Sequence, residues 1–290
     1  MLGIKIRTDA SIHEQKSFIN YALDEQLGLE IALGNKTPTK DAEETLKQTN
    51  FYKISNTILH LDNKKFFGFE INKKETYDYF AYEMQFAKNM NIKKTVMHYS
   101  DNMIKADATD DKLKQDLIQI NNLSANHSVI THIENTLFEK ESEFTKDKDI
   151  YINANTGFFE RIFKIVKEGN LKNIGFCFDL GHGKVISSNT IPEWLKFIDN
   201  LDKDHISLHF HLHNNDGNDD DHMPFHLADK KGLNEGDNYT QGNHYLDVIN
   251  YIIKKYNTAI QIMETHPDYA IDEIKWLKQE LPKRDGFVKL

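Results

Sequence analysis

Short apolar runs rich in Val, Ile and Phe alternate along the chain with longer stretches whose apolar residues recur every three or four positions. The first kind fits a strand buried in a sheet and the second an amphipathic helix, so their alternation predicts βα units around a parallel sheet. Eight strands are predicted: Gly3 to Thr8, Leu27 to Leu33, Ile54 to Leu61, Lys94 to Tyr99, Val129 to Asn135, Ile174 to Leu180, Ile206 to His213 and Ala259 to Thr265. Between them KETYDYFAYEMQFAKNM, FFERIFKIVKEG, YLDVINYIIKKY and DEIKWLKQEL each carry one apolar face and read as outer helices. Thr156 is read as an N-cap and Gly169 as a terminator of the helix after strand five. Eight such units in 290 residues predict an α/β fold, a single (β/α)8 TIM barrel occupying 1–290 as one domain.

One stretch breaks the rhythm. From Asn214 to Asn243 the chain is polar, Gly-bearing and too long for an ordinary connection. It follows predicted strand seven, on the face where barrel enzymes assemble their sites, and is expected to be an active-site loop.

Composition narrows the chemistry. Acidic residues outnumber basic ones by 45 to 36 for a net charge of −9, and arginine occurs only at Arg7, Arg161 and Arg284. That balance disfavours a nucleic-acid partner, because such binding rests on phosphate neutralisation. No apolar run is long enough to span a bilayer and the N-terminus has no basic-plus-apolar leader, so a cytoplasmic protein without membrane contact is expected. A lone cysteine, Cys177, excludes an intrachain disulfide and a thiolate zinc cluster, leaving imidazole and carboxylate as strong ligands.

Strand parity then sorts those ligands. Alternate residues share a face, so His132 and Glu134 point one way in THIENT, and Ile260, Ile262 and Glu264 do so in IQIMET. Asp179 shares parity with the small residues Gly175 and Cys177, and His209, His211 and His213 share one face of strand seven. His60 and His98 end strands three and four, His182 follows Asp179 by three residues, and Asp220, Asp221 and His222 follow strand seven. Each alone has an ordinary explanation as a hydrogen-bonded core residue or a solvated loop group. Together they end successive strands on the catalytic side of a barrel, where a divalent cation would balance their charge.

At these residues, in IENT, DLGH, HLHNNDGNDDDHMP and METH, the sequence resembles the xylose isomerase-like barrel superfamily, which includes sugar and sugar-phosphate isomerases and epimerases and metal-dependent apurinic endonucleases. The resemblance implies that Glu134, Asp179, His211 and Glu264 ligate a metal, with His182 and His213 contacting substrate or, for His182, a second ion. Members with multinuclear sites imply further ligands at His60, His98, Asp220 and His222. Two departures stand out: HLHNNDG lacks the arginine that ketose epimerases carry after the strand-seven histidine, and PFHLADKKG replaces a glycine-rich stretch.

Two reaction classes follow. In the first, an isomerase or epimerase acts on a small sugar-like hydroxy-carbonyl substrate, with Glu134 and Glu264 moving the proton and a divalent ion stabilising the enediolate. In the second, two or three ions support phosphate-ester hydrolysis, with an iron-dependent oxidase as a related option. Nitrogen and oxygen ligands suit Mn, Zn, Fe or Co, one to three ions in number.

Overall fold

The computed structural model describes residues 1–33, 40–61, 74–99, 109–136, 156–184, 189–215, 221–233 and 240–290. Eight parallel strands close into a barrel in chain order: β1 (Leu2–Arg7), β2 (Gly28–Ala32), β3 (Thr57–His60), β4 (Lys94–His98), β5 (Ile130–Glu134), β6 (Ile174–Asp179), β7 (Leu208–Leu212) and β8 (Gln261–Met263). The predicted single (β/α)8 barrel is thus the fold, and every predicted strand falls on an observed one.

Around the barrel lie α1 (Ile12–Asp24), α2 (Lys40–Lys47), α3 (Lys74–Asn89), α4 (Asp110–His127), α5 (Thr156–Glu168), the short α6 (Leu180–Lys184), α7 (Ile191–Lys203), the short α8 (Phe225–Lys230), α9 (Tyr245–Lys255) and α10 (Pro267–Glu280). Local chemistry sets their ends. Thr190 and Glu193 form a reciprocal capping box with Pro192 in the first turn of α7, and α4 starts at an N-cap, Thr109, and stops at Ser128, whose φ is 58°. The α5 boundary differs in detail from expectation: Thr156 is its first helical residue, and the left-handed residue after its end is Asn170 rather than Gly169.

Parity inside the barrel decides what the strands present to the mouth. Phe176 and Phe178 of β6 face outward and pack on Trp194 of α7, with Phe159 of α5 against both Phe176 and Trp194. Inward, Ile58, Val96, Cys177, Ile260 and Ile262 form a separate apolar cluster that fills the interior. The next inward position on β3, β4, β5 and β6 and just past β8 is His60, His98, Glu134, Asp179 and Glu264. Of the expected active-site loop from Asn214 to Asn243, residues 216–220 and 234–239 lie outside the described residues; among the described ones Asn214 and Met223 pair across an antiparallel bridge, and α8 follows at once.

Candidate metal centre

The ends of β5 to β8 bring Glu134, Asp179, His211 and Glu264 together, with one ligand atom from each lying within 4.8 Å of the others. Nδ1 of His211 is 2.5 Å from Oε2 of Glu264, 3.3 Å from Oε1 of Glu134 and 3.8 Å from Oδ2 of Asp179. Beside this group, Nε2 of His60 and Nε2 of His98 approach the other oxygen of Glu134, Oε2, at 3.4 and 3.3 Å. A third group joins His182, His213 and His222, with His213 Nε2 3.0 Å from Oδ1 of Asp179 and the His213 and His222 rings stacked at 4.4 Å. Eight of the nine ligands expected from sequence therefore converge. The ninth, Asp220, lies outside the described residues, and its neighbour Asp221 is exposed.

Four of the imidazoles share one mode of attachment. Nδ1 of His60, His182, His213 and His222 lies 2.8–3.2 Å from a backbone carbonyl, that of Leu61, Asn135, Asn214 and Glu264 respectively. A ring that donates from Nδ1 keeps its proton there and turns an Nε2 lone pair outward, the preparation that metal-binding histidines require. His222 adopts a φ of 45° to make this contact.

Carboxylate positions are fixed with equal care. Asn135 donates through Nδ2 to the Asp179 carbonyl and accepts the Asp179 amide, at 2.9 and 2.7 Å, locking the end of β5 to that of β6. The His182 amide donates to Oδ1 of Asp179 at 2.6 Å, which is why the two sit three residues apart as the chain enters α6. Gly181 supplies the remaining room: a Cβ there would overlap the imidazole of His213. Lys184, buried at the end of α6, donates to Oδ1 of Asn214 and the Asn215 carbonyl at 3.2 and 2.9 Å and ties the segment after β7 to the same turn.

Electrostatics follow from this crowding. Burial opposes ionisation of Glu134, but the imidazoles around it, led by His98 and His211, hold its carboxyl well below the usual range. Glu264 behaves likewise, burial being outweighed by His211 and Lys5. Burial also disfavours the charged form of His211, yet the carboxylates of Glu264, Glu30 and Glu134 push its pKa well up. Burial and the nearby Lys5 ammonium lower that of His60. The carboxylates of Glu134 and Glu264 and the imidazole of His211 thus favour one another's charged forms in a pocket with little water.

These residues fit a divalent cation. Both oxygens of Glu134, Oε2 of Glu264, Nδ1 of His211 and Nε2 of His60 are buried and make no hydrogen bond. Such orphaned groups are costly unless something else satisfies them, and one or more cations held by oxygen and nitrogen donors would do so.

Two residues at the site were not anticipated. Glu30 of β2, fully buried, accepts from the ring nitrogens of His209 and His211, and Lys5 of β1 lies between Glu30 and Glu264. Parity carried the signal: Lys5 alternates with Gly3 and Arg7, and Glu30 with Gly28 and Ala32. His132 also sits deeper than the site, held by the Thr95 carbonyl and the Ser207 hydroxyl at 3.0 and 2.9 Å.

A family model described as the xylose isomerase-like TIM barrel matches residues 28–280. The chain belongs to this family. Within the xylose isomerase-like barrels, solved structures share its fold along nearly the whole length at low sequence identity. A D-tagatose 3-epimerase-like protein superposes with a TM-score of 0.64 at 14% identity, covering 97% of both chains. The zinc chloride-soaked TTHB071 protein from Thermus thermophilus gives 0.57 at 14% identity over 96% of this chain and 98% of the other. The 3-keto-D-glucoside 4-epimerase of E. coli gives 0.53 at 13% identity over 96% and 98%. Among curated sequences, the uncharacterized protein MJ1311 of Methanocaldococcus jannaschii is 37% identical over 65 residues, which is 22% of this chain and 20% of that protein. Among the described residues no helix is long and apolar enough to cross a membrane.

Proposed function

We propose that this xylose isomerase-like barrel is a divalent-metal-dependent isomerase or epimerase of a small sugar-like hydroxy-carbonyl compound. The observation that carries the reading is the convergence of Glu134, Asp179, His211 and Glu264, with unsatisfied atoms of three of them, on one small region at the barrel mouth. Epimerases among the structural neighbours lend the substrate class, and the net charge of −9 argues against a polyanion.

The four ligand residues would hold the ion, which supplies Lewis-acid polarisation of a substrate carbonyl and its adjacent hydroxyl. Glu134 and Glu264 project from β5 and from just beyond β8, so carboxylates reach a bound substrate carbon from two directions and can take and return its proton. His182 and His213, fixed on carbonyls through Nδ1, orient substrate hydroxyls or fill the ligand shell. The bridge between Asn214 and Met223 fixes the chain on either side of it next to His213 and His222.

A second reading has its own observation. Glu134 divides its oxygens, Oε1 toward Nδ1 of His211 and Oε2 toward Nε2 of His60 and His98, all at 3.3–3.4 Å. A carboxylate split in this way suits a bridge between two cations, and a multinuclear centre suits phosphate-ester hydrolysis.

Elemental analysis of protein purified without added metal, combined with two assays, separates them. The isomerase reading expects about one ion per chain and deuterium uptake from heavy water next to the carbonyl of ketoses, abolished by Glu264→Gln. Two or three ions with release of phosphate from aryl phosphates, and no deuterium uptake, would replace it with the hydrolase. A metal-free protein indifferent to added ions would end both.

A further inference from the structure

Beneath the mouth, Lys5 and Glu30 occupy paired register positions on β1 and β2. Oε2 of Glu30 lies 2.8 Å from Nε2 of His211 and 3.1 Å from Nε2 of His209, while its Oε1 is 3.1 Å from Nζ of Lys5. The same ammonium is 2.5 Å from Oε1 of Glu264. We propose that Lys5 and Glu30 are positioning residues: Glu30 takes the Nε2 proton of His211 and Lys5 takes Oε1 of Glu264, leaving His211 Nδ1 and Glu264 Oε2 as the atoms presented to a cation.

The proposal rests on the metal reading above and adds the agents that prepare the ligands. An imidazole that donates from Nε2 has its lone pair on Nδ1, and a carboxylate as acceptor both fixes that tautomer and makes the ring a stronger ligand. His60, His182, His213 and His222 are turned the opposite way by carbonyls on their Nδ1, so His211 needs a partner of its own. Glu30 is that partner, and Nδ1 of His211 is among the buried atoms that make no hydrogen bond. With Oε1 of Glu264 held by the ammonium, only Oε2 remains, 2.5 Å from that nitrogen.

Space-filling does not account for the pair. Nearby interior positions are filled by Ile58, Val96, Cys177, Ile260 and Ile262, and apolar side chains would fill the space of Lys5 and Glu30 without the cost of desolvating two charges. Both partners of the ion pair instead reach a residue that lines the mouth.

The test uses the full chain with isotope-labelled histidine, loaded with NMR-active cadmium. Cadmium is expected to couple to Nδ1 of His211 while Nε2 keeps a slowly exchanging proton. Glu30→Gln, which preserves volume, should weaken cadmium binding on the order of ten- to a hundredfold and split the coupling between the two nitrogens, and Glu30→Asp should restore Nδ1 coupling. Lys5→Met separates positioning from simple charge. Removing a nearby positive charge should tighten cation binding if charge alone matters, whereas loss of positioning weakens it, by about tenfold.

Coupling through Nε2 in the wild-type protein, or a Glu30→Gln variant with unchanged affinity and coupling, would overturn the proposal. Tighter binding in Lys5→Met would overturn the part played by Lys5. Cooperative melting verifies that the variants fold, and if Glu30→Gln does not, the wild-type coupling decides alone. Should wild-type protein take up no cadmium, the metal reading fails separately. The His211 Nε2 proton in the metal-free protein then decides, slow exchange supporting the clamp and fast exchange refuting it.

Discussion

Asp116 and Glu134 are both inaccessible to water, yet they lie in opposite electrostatic conditions. Asp116 lies on α4, outside the barrel, where the Tyr77 hydroxyl donates to it; burial dominates and its pKa is pushed up to about 6. Glu134 lies inside the barrel among His60, His98, His182 and His211, and its carboxyl is held well down despite equal burial. Burial alone therefore does not mark a site. What separates the two is the company of several ionisable groups that none of them can satisfy alone.

The largest expected effect comes from breaking the second environment. Glu134→Ala removes the carboxylate common to two of the ligand groups, and Mn²⁺ or Zn²⁺ affinity measured by calorimetry should fall at least about a thousandfold, roughly 4 kcal/mol. Retention of affinity within tenfold would show that the carboxylate is not what the histidines surround.

The first environment gives the next effect, with a definite sign. The pKa of Asp116 rises from 3.8 to about 6 on folding, so the folded state holds this proton more tightly than the unfolded chain. Its contribution is intact below about pH 4 and is lost as pH climbs through 6, amounting to about 3 kcal/mol by pH 7.5. Asp116→Asn cannot ionise, so its stability relative to wild type should rise by about that much between pH 4 and pH 7.5 in urea titrations. A parallel pair of stability curves would contradict the assignment.

Cation binding sharpens the contrast further. At a hundredfold excess over its dissociation constant, a divalent ion should stabilise the protein by about 2.7 kcal/mol, read as a shift in melting temperature that a chelator reverses. Asp116→Asn should keep the full shift and Glu134→Ala should lose it.

Glu273 of α10 provides an intermediate case and the smallest effect. Burial raises its pKa, although it accepts the amides of Phe225 and His226 and the His226 ring. It thereby caps α8. Glu273→Ala should cost about 1 kcal/mol locally, seen as roughly fivefold faster hydrogen exchange at those two amides. Unchanged exchange would remove the cap from the account.

The legibility of these features in sequence follows the same divide. The strands were readable because β6 and β7 alternate cleanly: Phe176 and Phe178 against Cys177 and Asp179, Leu208, Phe210 and Leu212 against His209 and His211. That alternation placed Asp179 and His211 at the mouth. Glu30 escaped because all five residues of β2 are buried and its helix-facing side is as apolar as its neighbours, so one charge in GLEIA reads as an exposed position. Lys5 escaped for a related reason: a lysine near a chain start suggests a solvated end, and only the barrel closure between β1 and β8 brings it to Glu264. The pairing of Tyr77 with Asp116 depends on how α3 packs on α4, which no local pattern encodes.

Gly181 has a last consequence. It is not needed for an unusual backbone angle; its hydrogen stands where any other residue would put a carbon through the ring of His213. The seat of that imidazole is thus written as missing matter in the turn below it. Substitutions at 181 should act as a threshold, with alanine already doing the full damage and bulkier residues adding little, whereas replacements at His213 itself would grade with the chemistry of the new side chain.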